Sequence, residues 1–187
     1  GTLHTVGMEL LGEAERLAKE RKTDIYAIVI GQHLDEIEQS LIGFPITKLY
    51  LYETVDTFHM EIYQQTLIRC IKRCMPEIVL IGGTREGRAL APGVAIAFGS
   101  GLTADCTAFE INAKGNLVQI RPAFGGNIMA RIVTEHTRPQ FATVRPGMMQ
   151  VSAKRYDKMP TVFRESVLMN RNKMQIQNVF TKPKIDT

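Results

Sequence analysis

The sequence predicts an α/β fold: a mostly parallel, doubly wound sheet with helices on both faces, followed by an antiparallel meander. Two observations carry this. Between residues 5 and 98, amphipathic helical stretches alternate with short, near-continuous apolar runs, as strands buried on both faces require. After Gly101 the helical period stops, and strand-like segments are separated by short turns. The 187 residues suffice for one such domain with a connector, and 44% apolar with 22% charged residues is ordinary for a globular chain.

Residues 5–21 (TVGMELLGEAERLAKER) predict a helix with Thr5 as N-cap. Met8, Leu11, Ala14, Leu17 and Ala18 form its apolar stripe, which leaves charge for the other face. Asp24 to Ile30 is a buried strand, residues 34–42 a short helix, Lys48 to Tyr52 a second strand and Phe58 to Cys74 a longer helix. Glu77 to Ile81 is a third buried strand running into Gly82-Gly83-Thr84, and Glu86 to Phe98 follows as a helix. Cys106 to Ile111, Leu117 to Arg121, Ile128 to Thr134 and Gln140 to Arg145 are the strands of the meander, with turns at residues 113–116 and 125–127. The first helix has no strand before it, although a βαβ unit begins with one; a strand N-terminal to Gly1 is expected to be lost or supplied elsewhere. The division expected is a domain over 1–150, with terminal strands and a connector over 151–187.

The net charge of +4 is uneven, because residues 151–187 hold eight Lys/Arg against three acids. Aromatics are not interleaved with those charges, so nucleic acid is not the expected partner. No apolar run has the length of a membrane span. Cys70, Cys74 and Cys106 make no disulfide framework and fit a reducing compartment. Cys70 and Cys74, four apart, share a helix face as buried thiols.

Three candidate sites stand out. Gly82, Gly83, Thr84, Arg85, Glu86, Gly87 and Arg88 lie between a strand end and a helix start, where open α/β sheets bind ligands. Glycines there let a backbone approach phosphate, and free helix N–H groups favour an anion. The loop is neither a Walker loop nor a dinucleotide fingerprint; a tight turn carrying Arg85 and Arg88 to the surface is the alternative. Arg121-Pro122, Arg138-Pro139 and Arg145-Pro146 form the second feature. A residue before proline is driven to extended backbone, so each guanidinium is expected at a strand end, facing a carboxylate, phosphate or carbonyl. Third, Cys106 would need His136 as a base to be a nucleophile; a hydrogen-bonded strand start is the default reading.

Glu77 to Met149 resembles the N-terminal domain of the electron transfer flavoprotein alpha subunit. The matching blocks are EIVLIGGT with GRALAP, then SGLTADCT, IRPAFGGNIMA and RPQFATVRPGMM, in order and correctly spaced; ELLGEAERLA also looks like the family's first helix. The resemblance implies a Rossmann-like, adenine nucleotide alpha hydrolase-like domain and a heterodimer with a beta subunit of related fold. It implies a role in an electron carrier between flavin dehydrogenases and a downstream acceptor through FAD, held mostly by a second domain and the beta subunit. This domain would then be structural and partner-binding, with no catalysis and no flavin of its own. It implies that the family's first strand and C-terminal FAD domain are missing here, as in a fragment, and a cytoplasmic setting, with the mitochondrial matrix as the alternative. The loop at Gly82–Arg88 becomes a relic, while Arg121, Phe124, Arg138 and Arg145 brace a subunit contact. A free-standing adenine-nucleotide module using Gly82–Arg88 is the rival reading.

Overall fold

The computed structural model describes residues 3–54, 58–154 and 159–167. Among the described residues, four helices alternate with strands as expected: α1 (Thr5–Arg21), α2 (Leu34–Leu41), α3 (Met60–Cys74) and α4 (Arg85–Ala97). The N-cap of α1 is His4 rather than Thr5; its ring Nδ1 accepts the Val6 N–H at 3.2 Å. An imidazole nitrogen two residues ahead of a free helix N–H does the work usually given to a hydroxyl. Lys22 ends the helix in a left-handed conformation, and its cap N–H returns to the Ala18 carbonyl.

The strands of the described residues form three sheets of three. β1 (Tyr26–Gly31), β2 (Lys48–Glu53) and β9 (Thr161–Ser166) are parallel, in the order β1-β2-β9. β3 (Ile78–Gly82), β8 (Gln140–Val144) and β4 (Leu102–Cys106) are parallel, in the order β3-β8-β4. β5 (Ala108–Ile111), β6 (Leu117–Ala123) and β7 (Ile128–Val133) are antiparallel. The segment expected as one strand over Cys106–Ile111 is therefore the junction of two. Asp105 turns to φ 64 and the β4 register shifts between Thr103 and Cys106, so the chain leaves the parallel sheet and enters the antiparallel one. β8 does not continue the meander; it inserts between β3 and β4, and all five of its residues are buried.

Arg121 is not at a strand end, because β6 runs on through Pro122 to Ala123. Proline removes a ladder donor and is tolerated where one side of a strand is open. β5 pairs with β6 only as far as Ile120, so Pro122 has β7 alone beside it. Of the terminal strands and connector expected over 151–187, β9 is seen, and residues 155–158 and 168–187 lie outside the described residues.

The helix α1 runs against the direction of β3. Val6 packs on Gly82, with 2.7 Å between its Cγ1 and the place a Cβ would take, while Arg21 pairs with Glu77 at the other end of the strand. The stripe expectation fails for three glutamates, since Glu9, Glu13 and Glu15 are buried. Burial of a carboxylate requires hydrogen-bonded partners. Glu13 takes the Arg16 guanidinium at 3.1 Å, Glu15 accepts the Ser152 hydroxyl at 2.6 Å, and Glu9 accepts the backbone N–H groups of Gly147, Met148 and Met149 at 2.9–3.2 Å. Gly12 faces the same loop so closely that a Cβ there would stand 1.9 Å from the Gln150 carbonyl oxygen.

Between β1 and β3 the two parallel sheets part. A cavity of 720 Å³ lies there, beneath α1. All residues of β1 and β3 are only half-buried, although they are as apolar as the buried strands β2 and β8.

Replacing Glu9 with Ala strands three backbone donors in a buried contact. The expected loss is about 2–4 kcal/mol of stability in urea unfolding. A loss below about 0.5 kcal/mol would show that the carboxylate does not hold the loop.

Candidate functional site

The C-terminal ends of β3, β8 and β4 meet at Gly82–Arg88, where a doubly wound sheet presents ligands. Thr84 caps α4, its Oγ1 accepting the Gly87 N–H at 3.0 Å. Gly83 N–H donates to the Val144 carbonyl at 2.7 Å. Both glycines are dictated by close approach within the fold. A Cβ on Gly83 would lie 2.6 Å from the Val144 oxygen, and one on Gly87 1.9 Å from the Gly82 oxygen. Two of the backbone donors that a phosphate would take are thus already bonded inside the protein. The loop does not offer the open cradle that a flavin pyrophosphate needs. Arg85 and Arg88 point to solvent.

Positive charge gathers beside this loop. Arg145, just after β8, binds Asp105 through its Nε at 3.0 Å and again through Nη2. That hydrogen bond holds the Asp105 carboxyl below its ordinary range, and the nearby charges of Arg145, Arg121 and Arg88 act in the same direction. The Asp105 N–H is received by Thr143 Oγ1 at 2.8 Å, which fixes the turned residue. Arg121 also closes on its own neighbour, Nε to the Pro122 carbonyl at 3.3 Å.

Arg138 stands apart, at the opposite end of β8. Its Nη1 reaches the carbonyls of Thr134, Glu135 and Thr137, the last at 2.9 Å, and its Nη2 the Asn116 Oδ1 at 2.5 Å. It gathers the loop before β8 onto the β5–β6 turn. The structure brings Arg88, Arg121 and Arg145 toward one carboxylate and leaves Arg138 out of that group.

The turn between β6 and β7 carries Phe124, 82% exposed, in a left-handed conformation with φ 49. Beside it on β7, Ile128 and Met129 are more than half exposed, and Ile132 is exposed at 38%. β7 is the open edge of its sheet. Sequence reasoning named Phe124 but not Ile128, Met129 or Ile132. The available signal was the adjacent pair Ile128-Met129, which breaks apolar–polar alternation and puts an apolar residue on each face.

Cys70 and Cys106 are buried thiols. Cys106 is fully buried and burial pushes it up to about 12, whereas the His136 side chain is 93% exposed, so the two do not form a nucleophile and base. Cys70 and Cys74 share a helix face with sulfurs 3.9 Å apart, and burial pushes Cys70 up to about 12. Tyr52 and Tyr50 lie against them, which the sequence reading missed. Among the described residues no group of three or more His, Cys, Asp or Glu could hold a metal, and no helix is long and apolar enough to cross a membrane.

Comparison with known proteins agrees with the fold. Residues 1–167 match the electron transfer flavoprotein domain. The chain is 45% identical over 147 residues to the lactate dehydrogenase (NAD(+),ferredoxin) subunit LctC of Acetobacterium woodii, across 78% of this chain and 35% of that protein. It is 40% identical over 152 residues to the electron transfer flavoprotein subunit alpha of Thermoanaerobacterium thermosaccharolyticum, across 80% and 46% respectively. With protein FixB of Bradyrhizobium diazoefficiens the identity is 37% over 159 residues, across 82% and 43%. The chain spans less than half the length of each of these relatives. By the domain match and by its likeness to alpha-subunit relatives, this chain belongs to the electron transfer flavoprotein family, as an alpha-type N-terminal domain.

Proposed function

We propose that this domain is the framework and docking half of an FAD-dependent electron carrier, and that it performs no redox chemistry alone. The observation that carries the reading is the apolar surface at the open edge of the β6–β7 hairpin: Phe124 at its turn, Ile128 and Ile132 on one face of β7 and Met129 on the other are all exposed. Exposed apolar patches on a rigid hairpin fit a protein partner. The partner is an electron transfer flavoprotein beta subunit, the counterpart implied by alpha-type relatives. Phe124 and Arg121 belong to the contact, while Arg138 and Arg145 hold the strand ends that position it.

FAD would be held by parts of the assembly outside this chain, since the Gly82–Arg88 loop has Gly83 and Gly87 donors engaged internally. The charged end of the sheet around Arg88, Arg121 and Arg145 is then no nucleotide cradle, because Asp105 already takes the Arg145 fork. Electrons would pass from flavin dehydrogenases to a downstream acceptor through the whole complex, in a cytoplasmic setting.

The double substitution Phe124→Glu and Met129→Glu is expected to weaken association with the beta subunit about tenfold or more by calorimetry, with the melting temperature little changed. Equal affinity of variant and parent would remove the hairpin from the interface. Arg138→Ala, by contrast, is expected to lower the melting temperature by roughly 3–6 °C through the loop it gathers. The isolated chain is expected to purify without the visible absorbance of a bound flavin, and a stoichiometric yellow flavin would overturn the docking-half reading. AMP or ATP titrated into the chain should give no micromolar binding; micromolar heats would favour the adenine-nucleotide module instead.

A further inference from the structure

The thiols of α3 are placed by a match of two repeats. Four residues of helix advance about 6.0 Å and two residues of strand about 6.6 Å. α3 runs back along β2, which sets Tyr52 against Cys70 and Tyr50 against Cys74 within one core cluster. Each tyrosine hydroxyl donates to the sulfur opposite it. The two sulfurs stand 3.9 Å apart, Cys70 fully buried and Cys74 only partly.

This spacing does not suit a disulfide. Cβ atoms four residues apart on a helix are about 5–6 Å from each other, whereas a disulfide needs about 3.5–4.5 Å. A metal ion spans the larger distance. With metal–sulfur bonds of about 2.3 Å, sulfurs 3.9 Å apart subtend about 116° at a shared ion. Zinc and iron–sulfur centres take four ligands, and among the described residues no third His, Cys, Asp or Glu joins this pair. Two thiolates without further donors suit soft, monovalent copper. Charge agrees as well, since a bis-thiolate of Cu(I) carries one negative charge. The Arg69 guanidinium lies 5.6 Å over the Tyr52 ring and that of Arg73 5.7 Å over the Tyr50 ring, positive charge on the flank of the pair.

We propose that Cys70 and Cys74 form a two-thiolate site for one thiophilic monovalent cation, Cu(I), with the Tyr50 and Tyr52 hydroxyls donating to the bound sulfurs. The incoming ion displaces both thiol protons to solvent and forms two copper–sulfur bonds; neither copper nor sulfur changes oxidation state. The hydroxyls orient the sulfurs, as outer donors do around metal ligands. Burial pushes the Cys70 thiol up to about 12, while the Tyr52 hydrogen bond and the Arg73 charge act against it. At neutral pH the ion therefore competes with protons, and its apparent affinity rises with pH, up to about a hundredfold per unit for two protons released. The site lies on α3, away from the hairpin, so its test does not depend on the beta subunit.

The test titrates the reduced full chain anaerobically with Cu(I), supplied as its acetonitrile complex, against bicinchoninate as competing chelator. One Cu(I) per chain is expected, with apparent affinity rising at least about tenfold from about pH 6.5 to 7.5. Cys70→Ser and Cys74→Ser are each expected to lose at least about a hundredfold in affinity and Cys106→Ser to lose none; Cys74, being partly exposed, is the position where a folded variant is assured by its cooperative melting. Tyr52→Phe should bind about tenfold more weakly with the same stoichiometry. No uptake by the parent chain, parental affinity in Cys74→Ser, an equal loss in Cys106→Ser, or a flat pH profile would each overturn the proposal.

Discussion

The carboxylate of Glu9, buried in α1 and accepting three consecutive backbone N–H groups from Gly147 to Met149, fixes where the first helix sits. The acceptor loop follows β8 directly, so the contact ties the first helix to the strand in the centre of the second parallel sheet. Gly12 against Gln150 and Glu15 against Ser152 extend the same seam by another turn. Each acid has a defined donor, which is what makes burial of three glutamates tolerable. From that seam α1 reaches over both parallel sheets, and the core beneath it is built from both.

The charged end of the sheet shows how a binding-type location can be closed by its own fold. Loop, helix terminus and arginines stand where a nucleotide would sit in related architectures. Gly83 and Gly87 are small because the Val144 and Gly82 carbonyls crowd them, and their N–H groups are engaged. Asp105 accepts the Arg145 fork that would otherwise face a ligand. The hairpin with Phe124 and Ile128 is the opposite case, apolar groups left bare on a rigid support.

Most of the helices and the parallel strands were legible because their signals are local: period, apolar runs and breakers. The departures were non-local. Nothing in QFATV distinguishes a fourth meander strand from one inserted between β3 and β4; only its burial on both faces does, and that is set by distant partners. Cys106 looked like a strand start because the turn at Asp105 uses positive φ in a residue type where sequence does not demand it. The charged residues of α1 read as a solvent face because the loop that receives Glu9 lies far along the chain. In the site, the residue types were visible but their partners were not: Arg138 and Arg145 look alike in sequence, yet one gathers carbonyls and the other a carboxylate.

The placement of β8 also governs the order in which the domain can assemble. β3 and β4 are neighbours in the chain, but they never pair; each waits for a strand that begins only at Gln140. Between them and that strand lie β5, β6 and β7, joined by short turns and paired locally. Local pairings close small loops and form ahead of distant ones. The antiparallel sheet is therefore the early structure of this half, and it delivers β8 to the gap. During synthesis β3 and β4 remain without a ladder until Val144 has left the ribosome, so that half of the domain is completed from its far end.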